Sequence, residues 1–187
     1  MTTTRRTSRL LALLACGACF GACAQASGDG SEARRAIDTR LLAALGIAQG
    51  LQHEADVLEA RGEHAAAREK IDAVLAIDFP RVPEREDVRL DALGRLAELH
   101  LAAHDDASAE REVARGLAES TRDSYFRARL HLVLGRIHEA RAASARTQGD
   151  EARAREEGRR AIEAYDQGIA INRRVLGMGA ETEGERP

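Results

Sequence analysis

Aromatic side chains are scarce in this sequence, at 3% of residues with no Trp, and Pro occurs only 3 times in 187 residues. Strands draw on aromatic and β-branched side chains, so this poverty suits long helices better than a sheet. Cysteine is confined rather than rare. Cys16, Cys19 and Cys23 all fall in the first 23 residues, so no disulfide braces the remainder of the chain. Lys is nearly missing as well: Lys70 is the lone one, and Arg supplies the other cations. The length suits one ordinary domain, and 44% hydrophobic with 32% charged residues is a globular balance.

A membrane-spanning run is also lacking. The longest apolar stretch, Leu10 to Ala22, falls short of the roughly 20 residues that a spanning helix needs. It follows Arg5, Arg6 and Arg9 and precedes small residues, the pattern of a secretory signal peptide over residues 1–22. The stretch resembles a bacterial lipoprotein signal, in which small residues precede the cysteine that receives the lipid. Gly21-Ala22-Cys23 has a full-length apolar region before it; Leu13-Leu14-Ala15-Cys16 has the better leucine but a short one. Cys23 is therefore the favoured lipidation site and Cys16 the alternative. The resemblance implies outer-membrane sorting, since Ala24 stands where an inner-membrane retention signal would have Asp. Three of the 28 cations fall in the signal, and the remaining 25 face 31 acids, a formal charge of −6. Such a chain repels nucleic acid and anionic headgroups. Neither is an expected partner, and membrane contact is expected only through the lipid.

Residues 23–30 read as a small, polar tether, residues 31–176 as the folded domain, opened by Ser31 as N-cap, and the acidic stretch 177–187 as a disordered tail. Within the domain, apolar residues recur at three- and four-residue spacing without strand alternation. Leu51, Ala55 and Leu58 share one helical face, Gly62 ends that helix, and Ala67, Ile71, Val74 and Leu75 form the face of a second. A second hairpin places Leu90, Leu93, Leu96 and Ala97 before Ala109, Val113, Gly116 and Leu117, with His104-Asp105-Asp106 in place of a glycine turn. Pro83 with Glu84, Glu86 and Asp87 makes a good helix start. The small residues Ala55 and Ala67 are 12 apart, as are Ala97 and Ala109. A third hairpin shows Leu130, Leu134, Gly135 and Ile137, then Ala161, Ile162, Tyr165, Gly168 and Ile169. Gly135 and Ala161 are 26 apart; the extra fourteen residues divide into seven per helix, which puts the turn near Gln148-Gly149-Asp150.

These hairpins, with their paired small residues and Asp78-Phe79-Pro80 closing the first, resemble the tetratricopeptide repeat. The resemblance covers roughly Ala48 to Leu176. It implies an all-α, short right-handed solenoid of antiparallel helix hairpins, about three repeats, the third with lengthened helices. It also implies a non-enzymatic protein-interaction function, a lipid-anchored adaptor or scaffold facing the periplasm. Repeats of this family bind peptides on the concave surface of their first helices. That geometry selects Gln49, Gln52, Asp56 and Glu59, then Asp91 and Glu98, then Arg129, Arg136 and Glu139, a face running from acidic to basic.

No nucleophile elbow, phosphate-binding glycine loop or zinc-protease signature is present, so no enzyme activity and no cofactor are expected. His100 and His104, four apart, invite a metal or small-ligand reading, but two ligands do not make a site. His100 and His138 instead take matching places where a packed side chain is expected, with one ring nitrogen hydrogen-bonded. The charge runs around Arg153 to Arg160 are most simply solvated helix faces. An alternative function is a homo-oligomer formed through the long third hairpin.

Overall fold

The computed structural model describes the backbone of residues 28–178 and the side chains from Thr39 onward. The chain divides into two units, residues 1–37 and 38–187. The signal, both candidate lipidation cysteines and most of the tether lie outside the described residues, as does the tail beyond Met178. Six helices follow one another: α1 (Gly28–Ala60), α2 (His64–Leu75), α3 (Pro83–Ala102), α4 (Asp106–Glu119), α5 (Tyr125–Thr147) and α6 (Glu151–Val175). No strand occurs among the described residues. Helix α1 starts at Gly28, so it takes in the last three residues of the expected tether and begins before Ser31. The helices pack as sequential antiparallel pairs, and the all-α expectation holds.

Each pair is joined by the same three-residue turn. The residue after the first helix's last turn is left-handed, with φ of +78° at Gly62, +60° at His104 and +77° at Gly149. In each turn the following amide then reaches back in the Schellman pattern: Glu63 N to Leu58 O, Asp105 N to His100 O and Asp150 N to Ala145 O, each at 2.9 Å. The last turn residue starts the next helix. The Asp105 and Asp150 carboxylates accept hydrogen bonds from the Ser108 and Arg153 amides, each at 3.0 Å, which satisfies amides that the helix leaves without partners. Pro83 opens α3 behind extended Val82, with Glu84 and Glu86 at the positive end of the helix dipole.

The turns set which small residues meet. Ala55, Ala67, Ala97 and Ala109 are all fully buried, each pair straddling its turn at the same offsets. In the third pair those offsets select Ala142 and Ala154, which are 2% and 1% exposed. Gly135 and Ala161 are not the equivalent pair; they pack one heptad farther from the turn. The turn itself does lie at Gln148, Gly149 and Asp150. The lengthening is unequal: α5 has 23 residues against 20 in α3, and α6 has 25 against 14 in α4.

Helix α3 is buried on two sides. Ala92, Leu96 and Leu99 join a core with Ala44, Ala48 and Ala55 of α1 and Ile71 and Val74 of α2, closed by Phe79. Leu90 and Ala97 join a second core with Ala109 and Val113 of α4 and Leu130, Val133 and Ile137 of α5. Leu130 seats in a notch made by two glycines. A Cβ on Gly116 would come within 2.6 Å of the Leu130 side chain, and one on Gly94 within 3.6 Å.

His104 is the exception in the turn series, since a side chain in the left-handed region costs about 1–2 kcal/mol that Gly62 and Gly149 avoid. Changing His104→Gly is expected to raise stability by about 0.5–1 kcal/mol once glycine's larger unfolded-state entropy is subtracted. Urea unfolding followed by circular dichroism measures this, and a lowered midpoint would refute the strain assigned to this turn.

Candidate interaction face

Helices α1, α3 and α5 align so that one row of side chains from each meets the next. Gln52 donates to Asp91 at 2.9 Å. Arg95 donates to Asp56 at 2.7 Å and to Glu59 at 3.2 Å. Arg129 binds Asp91 and, at 2.7 Å, Glu98; Arg136 reaches the other oxygen of Glu98 at 2.9 Å. Eight side chains thus form a ladder across three helices, in two bonded sets: Gln52, Asp91, Arg129, Glu98 and Arg136, and beside them Arg95 with Asp56 and Glu59. Glu139 lies apart from it, accepting a hydrogen bond from the Tyr165 hydroxyl at 2.7 Å. Gln49 is exposed and forms no such bond.

The residues selected from sequence therefore share a face, but the acidic-to-basic gradient expected of them does not stand open. The opposite charges neutralise one another between helices. Arg95 is the member that sequence reasoning missed, although it sits four residues after Asp91 and three before Glu98, on the same face of α3. Burial opposes its charge, and the hydrogen bond and charge of Asp56, with Glu59 and Glu98 behind it, more than offset that burial and hold the guanidinium above its usual range. The pairing also reveals a stagger. Arg136 lies 13 residues before Gly149 and meets Glu98, 6 residues before His104. A seven-residue offset carries the third turn about 10 Å beyond the second.

Beside the ladder, where α1 and α3 meet the start of α5, lies a groove of about 430 Å³. Leu45, Ala48, Val88 and Phe126 give it apolar walls, and Gln49, Gln52, Glu84, Asp87 and Asp91 its polar ones. Asp87 is held by Arg122 and Asp91 by Arg129. Glu84 and Gln49 have no hydrogen-bond or ion-pair partner among the described residues. No family model, curated protein or solved structure matches this chain. What the face does is therefore a question for its own chemistry. An apolar floor with an unneutralised carboxylate at its rim suits a cationic side chain flanked by apolar ones. A second cavity, of about 560 Å³, has Arg81, Arg85, Arg89 and Arg122 in its walls, but Arg89 is already committed to Glu119 at 2.7 and 2.8 Å, and Arg122 to Asp87.

The histidines separate from one another. His104 is in the turn, beyond the end of α3 at Ala102, so it and His100 do not share a helix face as their spacing suggested. His100 lies 3.5 Å from the Asp105 carboxylate. His138 is buried between α5 and α6, its Nδ1 2.8 Å from Glu157 Oε2, with the two residues 8% and 6% exposed. Among the described residues no three His, Cys, Asp or Glu side chains gather as a metal would require. Tyr165 covers Gly135, where a Cβ would come within 2.3 Å of the ring. Burial, then the Glu139 hydrogen bond, pushes its phenol up to about 12.

Two outcomes follow for stability. Changing Arg129→Met removes two rungs from a ladder whose members are mostly shielded, and is expected to cost about 1–2 kcal/mol, with a smaller loss in about 1 M NaCl. An equal loss at both salt levels, in paired denaturation curves, would assign the effect to packing instead of charge. Changing Glu157→Ala alone strands His138 and is expected to cost about 3 kcal/mol, whereas His138→Leu with Glu157→Met costs far less because neither change leaves a buried partner unpaired. A double variant as unstable as the single one would show that the pair is net stabilising in itself.

Proposed function

We propose that this chain is a non-enzymatic protein-interaction module of the tetratricopeptide type, a right-handed solenoid of about three hairpins. The observation that carries the reading is the groove between α1 and α3, which combines an apolar floor with the unpartnered Glu84 and Gln49. Three pairs joined by one turn geometry, each with two small buried residues at the same offsets, support the repeat assignment. Residues 1–27 extend the proposal to location: a lipid on Cys23, with Cys16 as the alternative, would tether the module to the outer membrane facing the periplasm, where it would serve as an adaptor or scaffold. Its partner is then an envelope protein that offers a short segment with a Lys or Arg between apolar residues. A metal-binding function has no ligand set among the described residues to support it.

The ladder residues are poor choices for testing this reading, because Asp56, Glu98 and Arg136 join helices and their loss weakens the fold. Gln49 and Glu84 form no internal bond. Crosslinking of the full chain in its own host, read by mass spectrometry, is expected to capture an envelope protein. The Gln49→Lys, Glu84→Lys double variant is expected to reduce that capture about tenfold or more, since placing like charges opposite one another disfavours a complex by more than about 1.4 kcal/mol, while helical content stays unchanged. Capture at the native level by a folded double variant would remove the groove from the proposal.

A further inference from the structure

Helix α6 carries two seams with a seven-residue period. One is buried against α5 and is made of Ala154, Glu157, Ala161, Ala164, Gly168 and Ile171. The other lies one position on, about a quarter turn round the helix: Ile162 and Ile169 are seven apart and 62% and 45% exposed, and Leu176, which caps the helix, continues the spacing at 71%, with the half-buried Gly158, Tyr165 and Asn172 at the intervening positions and Tyr165 reaching back to Glu139 of α5. Ile162, Tyr165 and Ile169 follow the alternating three- and four-residue steps by which a helix pairs with another helix. Within the stack, α3 covers α2 and α5 covers α4. No described element covers α6 in the same way. The face is not flat, either. A cavity of about 630 Å³ opens between α5 and α6, with Gly158, Ile162 and Tyr165 in its wall, and a Cβ on Gly158 would meet nothing within 4 Å.

We infer that this seam is the site of self-association, and that its occupant is α6 of a second copy laid antiparallel about an axis near Glu163 and Ala164. The residues are self-complementary in that arrangement. Ile162 comes opposite Tyr165 of the partner subunit, and Ile169 comes opposite Gly158 of the partner subunit, where the missing side chain leaves the room that an isoleucine needs. Arg159 and Asp166 sit on the same flank of the seam, a heptad apart, so each arrives near the other across the two-fold axis. Asp166 has no ion-pair partner among the described residues, and Arg159 pairs only with Glu156 and Glu163 of its own helix. Such exposed pairs within a helix contribute little and yield readily. A closed two-fold pairing uses the seam on both copies and leaves the groove between α1 and α3 free, so it is independent of the partner-binding proposal.

Sedimentation equilibrium of the full chain in a mild non-ionic detergent tests it. A monomer–dimer equilibrium is expected, and Ile169→Asp is expected to weaken it about tenfold or more, the effect of burying an unpaired charge. Arg159→Asp and Asp166→Arg are each expected to weaken it, because each brings like charges together, and an equal mixture of the two variants is expected to recover dimer of one copy of each. All three changes lie on exposed positions, so helical content is expected to stay at the native level. A chain that stays monomeric up to about 100 μM, a concentration at which even a weak specific contact is populated, would overturn the inference. So would an association that Ile169→Asp leaves unchanged, or single variants whose mixture recovers nothing.

Discussion

Close approach between helices is the constraint on which this structure rests. Of the 25 buried hydrophobic residues among those described, 13 are alanine. A methyl group buries little area, so an alanine-rich interior is stable only where backbones come near enough for many small contacts to add up. That nearness explains the rest. It requires turns of fixed length that bring the same small residues together each time, it requires glycine where a leucine must seat between two helices, as Leu130 does against Gly116 and Gly94, and it tolerates no slippage between pairs. The ion-pair ladder then ties α1, α3 and α5 on the side where larger apolar side chains are missing.

The ladder changes how the selected face should be understood. Charged residues at helical spacing on the first helix of each pair look, one helix at a time, like an open recognition surface. Across helices they are partners. Most of their binding capacity is spent on the fold, and what remains for another molecule is the edge of the face, where α1 and α3 leave an apolar groove and the carboxylate of Glu84 is uncommitted. Specificity for a cationic segment would come from that one charge and the shape of the floor, not from the whole row.

How far the sequence could be read differs from feature to feature, for physical reasons. Hairpins and turns were legible because apolar periodicity and left-handed glycines are local signals, and Gln148 to Asp150 followed from arithmetic on helix lengths. Heptad degeneracy misled the choice of Gly135 and Ala161: positions seven apart lie on the same face, so spacing alone does not say which of two layers is nearest the turn. The four-residue spacing of His100 and His104 suited one helix face while the sequence around His104 suited a turn, and the left-handed backbone at His104 agrees with the turn. The ladder was not legible at all. Which charges meet depends on the stagger between neighbouring helices, a quantity that no single helix encodes; Arg95, by contrast, shares a helical face with Asp91 and Glu98, so the spacing that selected them also reaches it.

The double burial of α3 bears on how the molecule comes apart. In a stack whose units each keep a private core, an end unit can fray while the others persist. Here Ala92, Leu96 and Leu99 belong to one core and Leu90 and Ala97 to the other, so the helix cannot leave either without exposing both. Loss of the first pair of helices strips one flank of α3, and loss of the third strips the other. Unfolding is then a single cooperative event, with the slowest-exchanging amides in the middle of the chain. A proteolytic nick in either outer pair would compromise the whole domain.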